Sequence, residues 1–193
     1  LLDGIMTVSA NDGCIVLAEG ASGSVAGFVA LMNAEARRLG MTDSHFATPN
    51  GWPDEGATYT SARDLAILTR AMLTRHPALS RRYVGRAGMS FNGITQSNHV
   101  PLLGQMAGVD GVKTGFTNES GFGFVGSATR GGRRLVMVVA GYDNPRLRAR
   151  ESREFLEWGF GAWEAQRLFG TDATVGMARV QGGSARTVPL TSS

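Results

Sequence analysis

The stretch Gly108-Val109-Asp110-Gly111-Val112-Lys113-Thr114-Gly115-Phe116-Thr117 holds the only lysine of the chain; apart from histidine, every other basic residue is arginine. Glycines punctuate the stretch, Val109 and Val112 flank its middle, and an apolar run follows from Phe122 to Ala128. The pattern predicts a strand feeding a hairpin, with Lys113 and Thr114 on opposite faces. A strand edge offers backbone N–H and C=O groups to an extended peptide. A glycine at 115 lets such a peptide approach closely, and the Lys113 ammonium adds a fixed positive charge.

Working outward, Phe122 to Arg130 and Arg133 to Ala140 are two further strands joined at Gly131-Gly132. The second contains Leu135-Val136-Met137-Val138-Val139, apolar on both faces, and is expected at the centre of the sheet. Upstream, Met89-Ser90-Phe91 and Ile94-Thr95-Gln96 flank Asn92-Gly93, a hairpin signal. Downstream, Asn144-Pro145 opens a closing helix whose apolar content is Phe155, Leu156, Trp158 and Phe160.

The first third of the chain is helical in pattern. Leu1 to Met6 is an apolar start without a preceding cap, read as the tail of a helix. Ser9-Ala10-Asn11-Asp12 is a polar interruption before an apolar helical run from Cys14 to Ala18, and Gly20 to Gly23 is expected to break that run. Ser24 caps a helix carrying Val25, Phe28, Val29, Met32, Ala36 and Leu39, with Gly40 as its terminator. Phe46 to Gly56 is a loop. Ser61-Ala62-Arg63-Asp64 opens the next helix as a capping box, with Leu65, Leu68, Met72 and Leu73 as the buried stripe and His76-Pro77 as the stop. Helices, then antiparallel strands, then a closing helix make an α+β domain. Beyond Ala165 the composition shifts, and Val175–Val180 and Thr187–Leu190 read as short strands. The expected organisation is a domain over 1–165 and a C-terminal β extension over 166–193.

Composition narrows the function classes. A chain of 193 residues suits one domain plus a small extra piece. With 42% hydrophobic residues it is an ordinary globular sequence, and no apolar run reaches membrane-spanning length. Leu1-Leu2-Asp3 shows neither the basic start nor the long apolar core of a signal peptide. The net charge of +3 is spread over dispersed pairs such as Arg37-Arg38, Arg81-Arg82 and Arg133-Arg134, read as solvated surface rather than a nucleic-acid site. The single Cys14 excludes an internal disulfide framework and reads as a small core residue. His45, His76 and His99 lack the spacing of metal ligands, so neither metal nor cofactor is expected. Trp52, Trp158 and Trp163 read as packing residues. Asp110 either braces its strand or serves a turn.

Beside the lysine strand, Ser9-Ala10-Asn11 becomes a candidate site. A Ser-x-Asn turn between helices presents a hydroxyl able to relay a proton and an amide able to hold both a carbonyl and an ammonium. Serine and asparagine also cap helices well, which is the competing account.

Taken together, Ser9–Asp12, Phe28-Val29-Ala30-Leu31-Met32-Asn33, Leu39-Gly40-Met41, Phe46-Ala47-Thr48-Pro49-Asn50-Gly51, Gly108–Gly115 and Trp158-Gly159-Phe160 resemble the D-alanyl-D-alanine carboxypeptidases, the low-molecular-mass penicillin-binding proteins. The likeness runs in one register from Leu1 to about Trp163. It implies a β-lactamase/transpeptidase-like fold, with an antiparallel sheet packed on helices. It also implies removal of the terminal D-alanine from peptidoglycan stem peptides through an acyl-serine, inhibition by β-lactams, and a location outside the cytoplasmic membrane. Membrane association would come through a segment not in this chain.

Three signatures mark such enzymes, and Lys113-Thr114-Gly115 and Ser9-x-Asn11 match two of them. The third, Ser-x-x-Lys, is not in the sequence, because Asp110 stands three residues before the only lysine. The chain is therefore expected to be an N-terminally truncated piece of a larger enzyme. By the resemblance, Ser9 shuttles a proton to the leaving amine, and Asn11 orients the substrate and the missing lysine. Lys113 supplies positive charge, Thr114 binds the substrate carboxylate, and the Phe116 N–H forms half of an oxyanion hole. Arg148, with Arg150 as competitor, helps to hold the carboxylate. A serine β-lactamase shares the three signatures, and a non-catalytic cell-wall-binding protein would account for the missing one.

Overall fold

Some helix starts in this chain are set by side chains that satisfy free backbone N–H groups, as Ser24, Ser61 and Asn144 do. The computed structural model describes residues 1–164 and 166–192; Ala165, where the sequence pattern ends the larger domain, and Ser193 lie outside them. The chain forms two units, Leu1–Phe160 and Gly161–Ser193. The first contains α1 (Leu2–Val8), α2 (Asn11–Ser22), α3 (Val25–Leu39), α4 (Ala62–Arg75), α5 (Pro77–Tyr83), β1 (Gly88–Phe91), β2 (Ile94–Ser97), β3 (Val109–Thr117), β4 (Gly121–Arg130), β5 (Arg133–Tyr142) and nearly all of α6 (Pro145–Gly161). The second is built on the hairpin β6 (Thr174–Arg179) and β7 (Thr187–Thr191).

Ser24 caps α3 by accepting the Gly27 N–H at 3.0 Å, and Gly40 ends it at φ 82°, a conformation that suits a residue without Cβ. Helix α2 runs through Gly20 and stops at Gly23, so the break expected over Gly20 to Gly23 falls at its last residue. One interior glycine costs about 1 kcal/mol against alanine, and α2 is nevertheless continuous to Ser22. Pro77 opens α5 instead of merely ending α4, because a first-turn position needs no N–H donor. The capping box at α4 is half made. Ser61 accepts the Asp64 N–H at 3.1 Å, but the Asp64 carboxylate turns away to the Asp43 N–H at 2.8 Å and the Ser44 hydroxyl at 2.7 Å. Leu68, expected in the buried stripe, is 37% exposed, and the fully buried residues of α4 are Asp64 and Thr69.

The sheet order is β3-β4-β5, all antiparallel, so β4 and not β5 is central. Hydropathy reads faces, not edges. Leu135, Met137 and Val139 of β5 pack with Leu156 and Phe160 of α6, while α4 also lies on β5. Both faces are therefore apolar without a strand on each side. The central strand is instead marked by small residues: Ser127 and Ala128 are 0% exposed, and a side chain on Gly126 would crowd Phe124 and Met137. The main core joins Phe124, Ala128 and Met137 to Leu156 and to Val100, Leu102 and Met106 of the loop before β3. The tryptophans expected to pack are largely exposed, Trp52 at 53%, Trp158 at 56% and Trp163 at 66%.

Candidate active site

Residue pairing across the sheet fixes which side chains share a face. Lys113 pairs with Val125 and Val125 with Val138, on the face that meets the turn between α1 and α2. Thr114 pairs with Phe124 and Phe116 with Phe122, on the α6 face. Strand β3 is an outer strand of this sheet, so both faces meet along its free edge.

On the first face, Lys113 Nζ donates to Ser9 Oγ at 2.8 Å across 104 residues of sequence, and to the Thr114 carbonyl at 2.9 Å. Ser9 is the residue between α1 and α2, held at φ 60°, ψ 45°. This left-handed conformation is uncommon for residues other than glycine. The Gly4 carbonyl accepts the Ala10 N–H at 3.2 Å and so helps to close the turn. The loop before β3 is tied to the same helix, with the His99 N–H donating to the Thr7 carbonyl at 3.2 Å. Asn11 opens α2 in an exposed position, and its amide makes no hydrogen bond to Ser9 or Lys113 among the described residues.

Burial is the main cause that holds the Lys113 ammonium below the usual lysine range; the nearby Cys14 opposes that shift and Arg148 adds to it. Burial pushes the Cys14 thiol up, and Lys113 pulls it back. A lysine so placed exchanges a proton with a neighbouring hydroxyl more readily than an exposed one.

On the α6 face, Arg148 is 8% exposed, its guanidinium lies 5.8 Å from the Phe122 ring centre, and burial lowers its pKa. Arg150 instead sits in solvent, paired with Glu151 at 2.7 Å. Phe116 is 55% exposed and packs against Phe122 with ring centres 4.3 Å apart and the planes tilted by 32°. A Cβ added at Gly115 would meet nothing within 4 Å. Nothing in the fold requires glycine there, and the space beside it is open.

The chain matches the D-alanyl-D-alanine carboxypeptidase family (peptidase S11) over residues 1–144. It belongs to that family. It is 36% identical over 188 residues to D-alanyl-D-alanine carboxypeptidase DacD of Escherichia coli K12, covering 97% of this chain and 48% of that protein. It thus spans about half the length of the curated relatives it matches. Penicillin-binding protein 5 of Haemophilus influenzae superposes with a TM-score of 0.87 at 34% identity, over 98% of this chain and 55% of that one. Penicillin-binding protein D2 of Listeria monocytogenes, solved with ampicillin bound, gives 0.75 at 30% identity over 82% and 65%.

Within this family member the structure brings Ser9 and Lys113 into contact and sets Thr114, Phe116 and Arg148 on the adjoining face. Sequence reasoning missed Cys14 as a neighbour of Lys113, although its place five residues after Ser9 on an adjoining helix was a usable signal. It also missed Arg134. That side chain donates to Ser127 Oγ at 2.5 Å and pairs with Asp110 at 2.7 Å, so Asp110 braces the strand.

Proposed function

We propose that this chain carries the proton-relay and carboxylate-holding part of a serine-type D-Ala-D-Ala carboxypeptidase, whose acylated serine and its lysine lie in a segment outside these 193 residues. The observation that carries the reading is the 2.8 Å contact between Lys113 Nζ and Ser9 Oγ. In the proposed reaction the serine gives its proton to the lysine of the same segment and attacks the penultimate D-alanine carbonyl, and the oxyanion is met by the Phe116 N–H and the serine's own N–H. The C–N bond breaks as Ser9, backed by Lys113, passes a proton to the departing D-alanine amine. Water then cleaves the acyl-serine. Thr114 and Arg148 hold the terminal carboxylate, aided by the positive field of Lys113. Asn11, exposed beside Ser9, orients the substrate amide.

The substrate is the D-Ala-D-Ala end of a peptidoglycan stem peptide, which places the protein outside the cytoplasmic membrane, and β-lactams acylate the same serine. We further propose that residues from Gln166 onward begin a separate small β domain; the β6–β7 hairpin supports this.

The test is to join the chain to the Ser-x-x-Lys segment encoded upstream, or to that of a relative, and incubate it with a fluorescent penicillin. A stable adduct, lost on replacing the supplied serine by alanine, is expected. Absence of labelling in a folded protein would refute the proposal, and fast penicillin turnover without a lasting adduct would point to a β-lactamase.

A further inference from the structure

A regular strand through this sequence would turn Lys113 the wrong way. Val109 packs into the core on the α6 face and pairs with Ala128, which lies in the same core. Lys113 is four residues further on, and an even spacing along a strand returns a side chain to the same face. The lysine would then enter the α6 core. What prevents this is an irregularity between Val109 and Gly111: the first pairs with Ala128 and the second with Ser127, so two steps on β3 match one on β4. Asp110 is the extra residue. A one-residue bulge inverts the facing of everything after it, and Lys113 is thereby delivered to Ser9.

The bulge is gripped from two directions. Asp110 Oδ2 pairs with Arg134 Nη1 at 2.7 Å, and the same nitrogen donates to Ser127 Oγ at 2.5 Å. Since Arg134 pairs with Thr129, two residues from Ser127 on β4, Arg134, Ser127 and Lys113 all share one face. The ion pair thus crosses all three strands at the bulge. From the helical side, Val84-Gly85, which directly follows α5, is pressed against the same backbone. A Cβ on Gly85 would collide with the Asp110 carbonyl, and one on Gly111 with the Val84 side chain.

We infer that Asp110 and Arg134 are positioning residues, whose ion pair holds the β3 bulge and so aims the Lys113 ammonium at Ser9. The consequence for catalysis rests on the proposed carboxypeptidase reading, but the positioning itself does not. Both side chains of the pair are 40% exposed, so the pair adds little to stability and its removal is expected to leave a folded protein.

The single lysine makes the test direct. Growth on [13C,15N]lysine labels Lys113 alone, and its Cε shift against pH reports its pKa in the 193-residue chain. The groups acting on it are Cys14 and Arg148, both unchanged in the variants. Removing a carboxylate from an unmoved lysine lowers its pKa, whereas release of the lysine from its partly buried place raises it. Asp110→Asn is therefore expected to raise the Lys113 pKa and to weaken its NOE contacts with Ser9. Arg134→Gln should weaken the same contacts, and the swap Asp110→Arg with Arg134→Asp should restore them. An unchanged or lowered pKa in Asp110→Asn, with the Ser9 contacts intact, would overturn the inference. Unfolding of both single variants would also overturn it, since the pair would then be a requirement of the fold. No penicillin enters the measurement, so failure of the enzymatic reading and failure of this one are separable.

Discussion

Asp64 and Lys113 both bring a charge into the larger unit, and they are treated in opposite ways. The Asp64 carboxylate is fully buried and held by the Asp43 N–H and the Ser44 hydroxyl, at the positive end of its own helix. Lys113 is partly buried against a neutral hydroxyl and a carbonyl, and Arg148 is near enough to repel it. In the first arrangement two donors converge on one carboxylate oxygen, Oδ2, and tie the loop before the helix to it; in the second, burial disfavours the charge, which is held beside a serine in a left-handed turn. A carboxylate that ties a loop to a helix is structural, and a charge held at a cost beside a hydroxyl is a candidate for chemistry.

The strongest way to break that contrast is Lys113→Met in protein joined to the Ser-x-x-Lys segment. The rate of penicillin labelling should fall about 10²–10³-fold, the loss typical of removing one transition-state donor, while urea unfolding at pH 7 shows no loss of stability. Next comes Asp64→Ala, which strands two donors that faced a carboxylate. Urea unfolding should show about 2–4 kcal/mol of destabilisation, with no selective effect on labelling in whatever fraction stays folded.

The pH dependence of stability sharpens the contrast further. Because the Lys113 pKa is depressed in the folded chain, burial of its ammonium costs stability in full below that folded value. The cost disappears as pH rises toward the unfolded lysine value of about 10.4. The stability advantage of Lys113→Met over wild type should therefore be greatest near neutrality and shrink toward pH 10, as read by urea midpoints across that window. The smallest effect is expected for Ser9→Gly. Relief of the left-handed strain and the greater freedom of the unfolded chain nearly cancel, leaving stability within about 0.5 kcal/mol. The Lys113 side chain should nevertheless lose its fixed position by NMR.

Much of this was legible in the sequence, for a physical reason in each case. Ser24 and Gly40 bound α3 because capping is local chemistry. The Asn92-Gly93 turn and the β3–β5 strands followed from alternation and turn residues. The partnership of Ser9 with Lys113 was reached only through family signatures, since nothing local links residues 104 apart. What stayed hidden depends on lateral position and long-range pairing. Hydropathy could not tell that β5 is covered by helices rather than flanked by strands. Asp110 could be read as a strand brace or as turn chemistry, and only its partner Arg134, two strands away, separates the two. Arg148 and Arg150 are alike in sequence, and only burial of one against Phe122 and exposure of the other separates them.

The most direct measurement is release of D-alanine from a stem-peptide analogue ending in D-Ala-D-Ala, by the chain joined to its Ser-x-x-Lys segment. Ser9→Ala and Lys113→Met are run in parallel. Release by the unaltered protein, with both variants slowed about a hundredfold or more and still folded, is the expected result. Equal release by Lys113→Met and the unaltered protein would contradict the assignment of the site to the Ser9–Lys113 contact.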